Sequence, residues 1–529
     1  MPRRRSSPHR ALYVAAALLV AVAFVLLLAR CSGEQPEDQT PAEQREEQDI
    51  GQSKSAREPS EENASGSQNA LVPVAHLSSF EDDVTLEELS RTEGLAVPQE
   101  SSGVVGELLG RSGELDSFDS ADAVVDYVSR TPGALGLVPW DTATPRVKAL
   151  AVDGKALLAT GAPAREDYPL ALEGMVGPDP GELRRVVVAG DIVLDRGQSY
   201  AVIQQDLGLD FPLDGGYAAI TERTLVPNPY AESELVYQVT AQRRGGAGEM
   251  REYLRRADLT LANLENPVVE NAVWHPEEPT FTGDLRLLPI LGQAGFDGVT
   301  LANNHILDAG VPGLEETIGH LEEAGISHAG AGPDLAAARE PMIFDLGDLR
   351  VGVLSSQNVP SYEWAWATSS VPGTTPLEEE LLREDVRNLR PEVDLVVVMP
   401  HWGIEYTAPP EPEQLELAHA AIDEGADLVV GNHAHWAKGI EVYEGKPIFY
   451  GTGNFLFDQA WSEDTSTGIF AEVILYEDRI VQARPVPFIV LDYAQPNFLV
   501  PEAGGERALE KIFSASVGPE FEAYNSTRD

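Results

Sequence analysis

Through the second half of the chain, short apolar runs alternate with longer segments in which apolar positions recur every three to four residues. The runs at 186–189, 259–262, 299–302, 351–354, 395–399, 428–430 and 448–450 have strand length, and segments between them such as 315–324 and 413–424 carry the period of an amphipathic helix. Strands that alternate with helices predict an α/β domain. After Asn454 the pattern changes to two long β runs around Glu477 and Asp478, which predict antiparallel strands closing that domain. Residues 502–529 read as one helix and a loose tail. No internal repeat is present.

Upstream the pattern is different. Residues 11–29 carry no charge and follow Arg3, Arg4, Arg5 and Arg10. As a helix they reach roughly 28 Å, enough for a ~30 Å hydrocarbon core. This predicts a cytoplasmic stub and single-pass transmembrane anchor over residues 1–30, with all that follows outside the cell. Around Cys31 the chain has some character of a lipobox, but Arg30 occupies the place of a small residue; a lipoprotein or a secreted form are the alternatives. Residues 31–70, rich in Glu, Gln, Ser, Pro and Asp, predict a disordered acidic tether. Residues 71–180 predict a small α/β region, with Ser120 capping a helix over 121–129 and strands at 134–138 and 147–152. Part of it weakly resembles a lobe of a periplasmic solute-binding protein. The main domain then spans 184–460, and 461–529 supply the last strands and the tail.

The apolar runs share a feature of chemistry. They end in Asp191 (VVVAGD), Glu265 (LTLANLE), Asn304 and His305 (GVTLANNH), His401 (LVVVMPH), and His433 and His435 (LVVGNHAH). In an open α/β sheet the carboxyl ends of strands converge on one crevice, so side chains far apart in sequence meet there. Four of the ten histidines sit at such ends, which predicts a shared metal site. His433 and His435, read as alternate positions of an extended segment, point their imidazoles the same way. Imidazole and carboxylate ligands suit zinc, manganese or iron(II). Asp308, three residues beyond His305, either orients that histidine or caps the helix that follows. Trp402 and Trp436 read as packing walls, and Asn454 as a brace under the site.

Composition narrows the partners. With 86 acidic against 37 basic residues the formal net charge is -49, which argues against nucleic acid or anionic lipid head groups as ligands. The single cysteine, Cys31, excludes an intramolecular disulfide and a cysteine zinc site, so a metal must be held by His, Asn and carboxylates.

In order along the chain, GDIVLDRG, NLENPV, NNHILDAG, HWGIEY, GNHAHW and GTGNFLFD closely resemble the motifs of the CapA family of poly-γ-glutamate capsule biosynthesis proteins, over about residues 184–457. That family is similar to the calcineurin-like metallophosphoesterases. The resemblance implies a two-sheet sandwich flanked by helices and a site for two divalent metal ions (Mn, Zn or Fe). It implies Asp191 and His435 on the first ion, Asn304, His401 and His433 on the second, and Glu265 as the bridge, with Asn263 as a substitute. Val193 stands where a typical phosphoesterase has a further histidine ligand. His305 matches a histidine that approaches substrate without binding metal and acts as a proton donor, with Asp308 as its orienting partner.

The function so implied is that of a membrane-anchored extracytoplasmic protein in the synthesis, export or attachment of poly-γ-glutamate or a similar anionic polymer, working beside capsule synthase subunits. One alternative is a metal-dependent hydrolase of a cell-surface phosphoester. The other is a non-catalytic metal-binding scaffold, which Val193 keeps open. The ligand set leans towards a metallophosphoesterase-like hydrolase.

Overall fold

The computed structural model describes residues 69–110, 115–231, 235–277 and 279–527. The expected anchor at 1–30 and all but the last two residues of the expected tether at 31–70 lie outside the described residues. The last of these, Ala70, is buried. Among the described residues no helix is long and apolar enough to cross a membrane.

The strand Leu183–Ile192 organises the larger sheet. It runs parallel to Leu259–Leu264, which is followed outward by Gly298–Thr300 and Ser327–Ala329, also parallel. On its other side it pairs antiparallel with Thr467–Tyr476, whose hairpin partner is Arg479–Leu491. The C-terminal strands are therefore central members of this sheet, not an appendage to it. A second sheet holds Leu349–Gln357, Leu395–His401, Leu428–Val430 and Lys446–Phe449 in parallel, with antiparallel strands Met342–Leu346 and Ile440–Tyr443 at its edges.

Side chains alternate faces along a strand, and three cores follow from that period of two. Val186, Val188, Ile469 and Ala471 from the first sheet meet Val351, Val353, Leu395, Val397, Leu428 and Val430 from the second. The intervening Val187 and Ala189 pack instead with Met250, Leu254, Ile290, Leu291, Leu314 and Leu321 of the helices Glu249–Arg255, Pro289–Ala294 and Gly310–Ala324. Val396, Val398 and Val429 pack with Leu382, Val386, Leu417 and Ala421 of Glu379–Leu389 and Pro412–Glu424. Two sheets thus lie face to face with helices outside each. At roughly 1.5–3 kcal/mol for each buried aliphatic side chain, a one-residue slip would expose an entire row and is strongly disfavoured.

Residues 71–180 form a five-stranded sheet of their own, with the expected helix Ala121–Ser129 capped by the Ser120 side chain. The strand expected at 147–152 is broken in two. Lys148–Ala149 pairs with Leu71–Ala75, and Ala151–Val152 with Asp83–Val84. Nor does this region stand apart, because its core takes in Leu183, Ile474 and Val481, which would otherwise be bare to water at the end of the main sheet. The expected loose tail is a further correction. Gly505–Ala515 and Pro519–Ser526 are helices, and Phe513 and Phe521 are buried in the sandwich core with ring centroids 6.0 Å apart. His76 Nε2 lies 2.7 Å from the Glu520 carbonyl, which ties the tail to the first region.

Candidate metal centre

Asp191 arrives at the end of its strand directly after Gly190. A Cβ at Gly190 would lie 1.8 Å from the Gly453 carbonyl oxygen, and the Asp191 N–H donates to that same oxygen at 3.0 Å. Only glycine admits so close an approach, and it sets Asn454 in register with Asp191. From the neighbouring strand, Asn263 Nδ2 donates to Asp191 Oδ1 at 2.8 Å, while Asn263 Oδ1 accepts from Asn303 and Thr300. The one oxygen of Asn263 is thus engaged. Glu265 follows immediately after the strand.

Ligand atoms of Glu265, His401 and His433 lie within 4.8 Å of one another, and so do those of Asp191, Glu265 and His435. Glu265 belongs to both groups. Asn304 joins the first, its Oδ1 2.9 Å from His401 Nε2. All six side chains are buried. Among the described residues, Asp191 Oδ2, both Glu265 oxygens and His433 Nδ1 have no hydrogen-bond partner. Orphaned buried polar atoms each cost a few kcal/mol, and four clustered together fit divalent metal.

The segment carrying His433 and His435 is not extended, contrary to the sequence expectation. Asn432 bridges to His401, and the chain then turns left-handed, with φ of 87° at His433 and 56° at His435. The imidazoles still converge, with ring centroids 4.8 Å apart for His401 and His433 and 6.1 Å for His433 and His435. Such backbone costs roughly 1–3 kcal/mol per residue and must be held by its surroundings. The Tyr406 N–H donates to the Ala434 carbonyl at 2.8 Å, and His435 Nδ1 lies 3.0 Å from Asn454 Oδ1. Asn454 is itself fixed by donating to Gln459 Oε1 and the Thr465 carbonyl.

Burial drives the His401 imidazole down to about 3, against the pull of Asp191, and holds His433 well below its ordinary value, helped by His401 and His435. Both are neutral, the form that ligates metal. Burial and the nearby Asp191 raise Glu265 well above the carboxylate range. Burial also raises Asp191, but His435, His401 and Asn263 outweigh it and leave that group low. Two carboxylates in one dry pocket resist joint ionisation unless a cation accompanies them.

His305 stands outside both ligand groups. Its Nδ1 lies 2.9 Å from Asp308 Oδ2, which also accepts from the Phe281 N–H at 2.8 Å. The helix Gly310–Ala324 begins without a side-chain cap, so of the two roles open to Asp308 the structure realises the contact with His305. Val193 packs with Phe281 and Phe457 in a small apolar cluster. Those rings lie 4.6 Å from His305 and 5.4 Å from His435, so the plug touches both sides of the pocket. Trp402 is a wall, buried and donating to the Tyr450 carbonyl, and Trp436 is half-buried. Sequence reasoning passed over Asn303, Tyr406 and Gln459. Their one visible signal was position, each lying within five residues of an expected ligand or brace.

Residues 185–459 match the family model of the bacterial capsule synthesis protein, PGA_cap. The PGA biosynthesis protein CapA of Bacillus subtilis (strain 168) is 32% identical over 241 residues, which cover 44% of this chain and 63% of that protein. The capsule biosynthesis protein CapA of Bacillus anthracis is 32% identical over 225 residues, covering 41% and 54%. The chain thus spans less than two thirds of the length of these two relatives. A probable polyglutamine synthesis accessory protein of Mycobacterium tuberculosis (strain ATCC 25618 / H37Rv) is 30% identical over 298 residues, covering 52% of this chain and 74% of that protein. Among solved structures, a putative 5'-nucleotidase from Staphylococcus aureus has a TM-score of 0.33 at 16% identity, covering 58% of this chain and 55% of that one. With more than half its length matched by that family model, this chain belongs to the bacterial capsule synthesis protein family.

Proposed function

We propose that the protein acts in the synthesis, export or attachment of poly-γ-glutamate or a similar anionic cell-surface polymer, through a dinuclear metal centre of hydrolytic type. The capsule role is supported by the family and by what its relatives in Bacillus are named for. One observation carries the metal centre: the buried carboxylate of Glu265 belongs to both groups of candidate ligands, with neither oxygen hydrogen-bonded among the described residues. Asp191 and His435 would hold one ion and Asn304, His401 and His433 the other, with Glu265 available to both. Bound Mn, Zn or Fe supplies Lewis acidity at a phosphoryl oxygen. Asn263 and Asn454 orient Asp191 and His435. His305, held by Asp308, donates a proton to the leaving oxygen of a cell-surface phosphoester. Residues 11–29 anchor the chain in the membrane, and capsule synthase subunits and the anionic polymer are its partners.

A second reading, a metal-binding scaffold without turnover, is favoured by the apolar plug at Val193, which offers Asp191 and His435 no further ligating side chain where Asn304 joins His401 and His433. Elemental analysis of the full-length protein after reloading with Mn2+, Zn2+ or Fe2+, followed by a panel of phosphoesters, decides between them. The expected result is about two ions per chain and metal-dependent turnover. Two ions with no turnover on any phosphoester favours the scaffold, and failure to take up metal sinks the centre itself.

A further inference from the structure

Solvent comes closest to the candidate centre on the His305 side. None of the six candidate ligands is more than 3% exposed, whereas His305 is 8% exposed. The ring next to this histidine is that of Tyr362, with the centroids 6.5 Å apart. Next to Tyr362, at 6.1 Å, stands Trp364, which is 64% exposed. A row of rings thus runs from the proposed proton donor out to water.

The segment that carries Tyr362 and Trp364 is braced at its base. It leaves the end of the strand Leu349–Gln357, where Gln357 pairs with His401 and the Asn358 N–H donates to the His401 carbonyl at 3.4 Å. Two fully buried side chains, Gln357 and Thr374, fasten it. Gln357 Oε1 accepts from the Val359 N–H at 2.9 Å, Gln357 Nε2 donates to Thr374 Oγ1 at 3.0 Å, and Thr374 Oγ1 donates on to the Ala365 carbonyl at 3.2 Å. A Cβ at Gly373 would lie 2.3 Å from that same carbonyl, so the two limbs of the segment meet backbone to backbone. Between these points the chain turns left-handed at Ser361, φ 71°, and makes one short helical turn over Glu363–Ala365. Ala365 is buried in the core while Trp364 is left in water. A single exposed apolar side chain is ordinary, but two rings in contact on a braced turn beside a proton donor form a platform for a ligand.

Because His305 is read as the donor to the leaving oxygen, the alcohol that departs lies against His305 and its neighbours. The two rings are inclined at 38°, an open platform and not a parallel slot. A fused aromatic base laid on it would keep its second apolar face in water. A pyranose has a C–H face to set on the rings and hydroxyls that stay solvated around it. Glu363, exposed on the same turn, offers its carboxylate to those hydroxyls and repels a second phosphate. We propose that Tyr362 and Trp364 form the leaving-group subsite of this centre and that it takes a sugar ring, which makes the phosphoester a sugar phosphate. The inference rests on the metal centre and proton donor proposed above and adds the class of alcohol to them.

The test is calorimetric titration of full-length protein loaded with Mn2+ with three phosphonates, whose P–C bond resists hydrolysis: methylphosphonate, hydroxypropylphosphonate as an open-chain control, and glucosylmethylphosphonate. Wild type should bind the glucosyl probe roughly three- to tenfold more tightly than methylphosphonate, the weight of one aromatic contact, and the open-chain probe no better than methylphosphonate. Trp364→Ala and Tyr362→Leu should lose most of that preference while keeping manganese content and methylphosphonate affinity, and Trp364→Phe should retain part of it. Equal binding of the three probes by wild type, or a gain shared by the open-chain probe, overturns the subsite and leaves the metal centre standing. So does a glucosyl preference that survives Trp364→Ala, or a loss of manganese in that variant, which makes the segment a support for the centre. A wild type that takes up no Mn2+, or binds no methylphosphonate once loaded, overturns the centre and this inference together.

Discussion

His305 and Asp308 form a pair at 2.9 Å whose carboxylate is pinned a second time by the Phe281 N–H at 2.8 Å. A histidine oriented in this way and lying outside both ligand groups is suited to moving a proton without holding metal. His305→Ala should therefore keep its metal while losing roughly 10²–10⁴-fold in turnover, and His433→Ala should lose both. Asp308→Asn should cost less, about 10–100-fold, by loosening the ring. Metal content measured beside phosphoester turnover checks this; a metal-free His305→Ala protein would make His305 a ligand.

Val193 lies in an apolar cluster with Phe281 and Phe457, whose ring is 5.4 Å from His435, on the Asp191 and His435 side of the proposed centre. Val193→His should raise the affinity of the Asp191 and His435 side for metal, seen as a tighter second binding event in a Zn2+ titration. It should also cost about 1–3 kcal/mol in stability, because the residue fills a closed cluster with Phe281 and Phe457. An unchanged titration curve would show that this side chain does not reach the ion.

Acid sensitivity should concentrate at Glu472. Burial opposes its ionisation, yet Arg484 and Arg185, at 2.6 and 2.7 Å, outweigh burial and hold it at about 2 against an ordinary 4.5. A group depressed in the folded state adds stability above its unfolded value, and that stability is lost as pH falls from about 4.5 towards 2. The difference of about 2.5 units corresponds to ~3 kcal/mol. Urea unfolding at pH 7 and pH 3 should show more than half of that loss in wild type. Glu472→Gln should be weaker at pH 7, where Arg185 is left buried without its partner, and flatter between the two.

The C-terminal helix is a structural member. Phe521→Ala should reduce unfolding free energy by about 3–5 kcal/mol, whereas Glu522→Ala on the exposed face of the same helix should stay within ~0.5 kcal/mol. Equal, mild effects in a denaturant titration would return this segment to the status of a loose tail.

The α/β class, the strand positions and the convergence of Asp191, Glu265, Asn304, His401, His433 and His435 were legible along the chain because each depends on local order. An apolar run of strand length followed at once by a ligating side chain is a pattern of adjacent residues, and parallel strands carry their ends to one edge whatever lies between them. Gly190 and Gly453 were visible as glycines, but not as partners, since their contact joins residues more than 250 positions apart.

What the sequence determined by itself, then, was which side chains would be brought to the edge of the sheets, because strand period and strand ends are properties of neighbouring residues. Only the tertiary structure decided how they would be used there. Glu265 belongs to both groups of clustered donors, while Asn303 and Thr300 occupy the oxygen of Asn263. Asp308 turns to His305 and not to its helix because the Phe281 N–H holds it. The loop of His433 and His435 is bent left-handed because Tyr406 and Asn454 restrain it from two other parts of the chain. A hydrogen bond has one donor and a limited number of acceptors, and competition for them is settled between segments, where no reading of one segment at a time can see it.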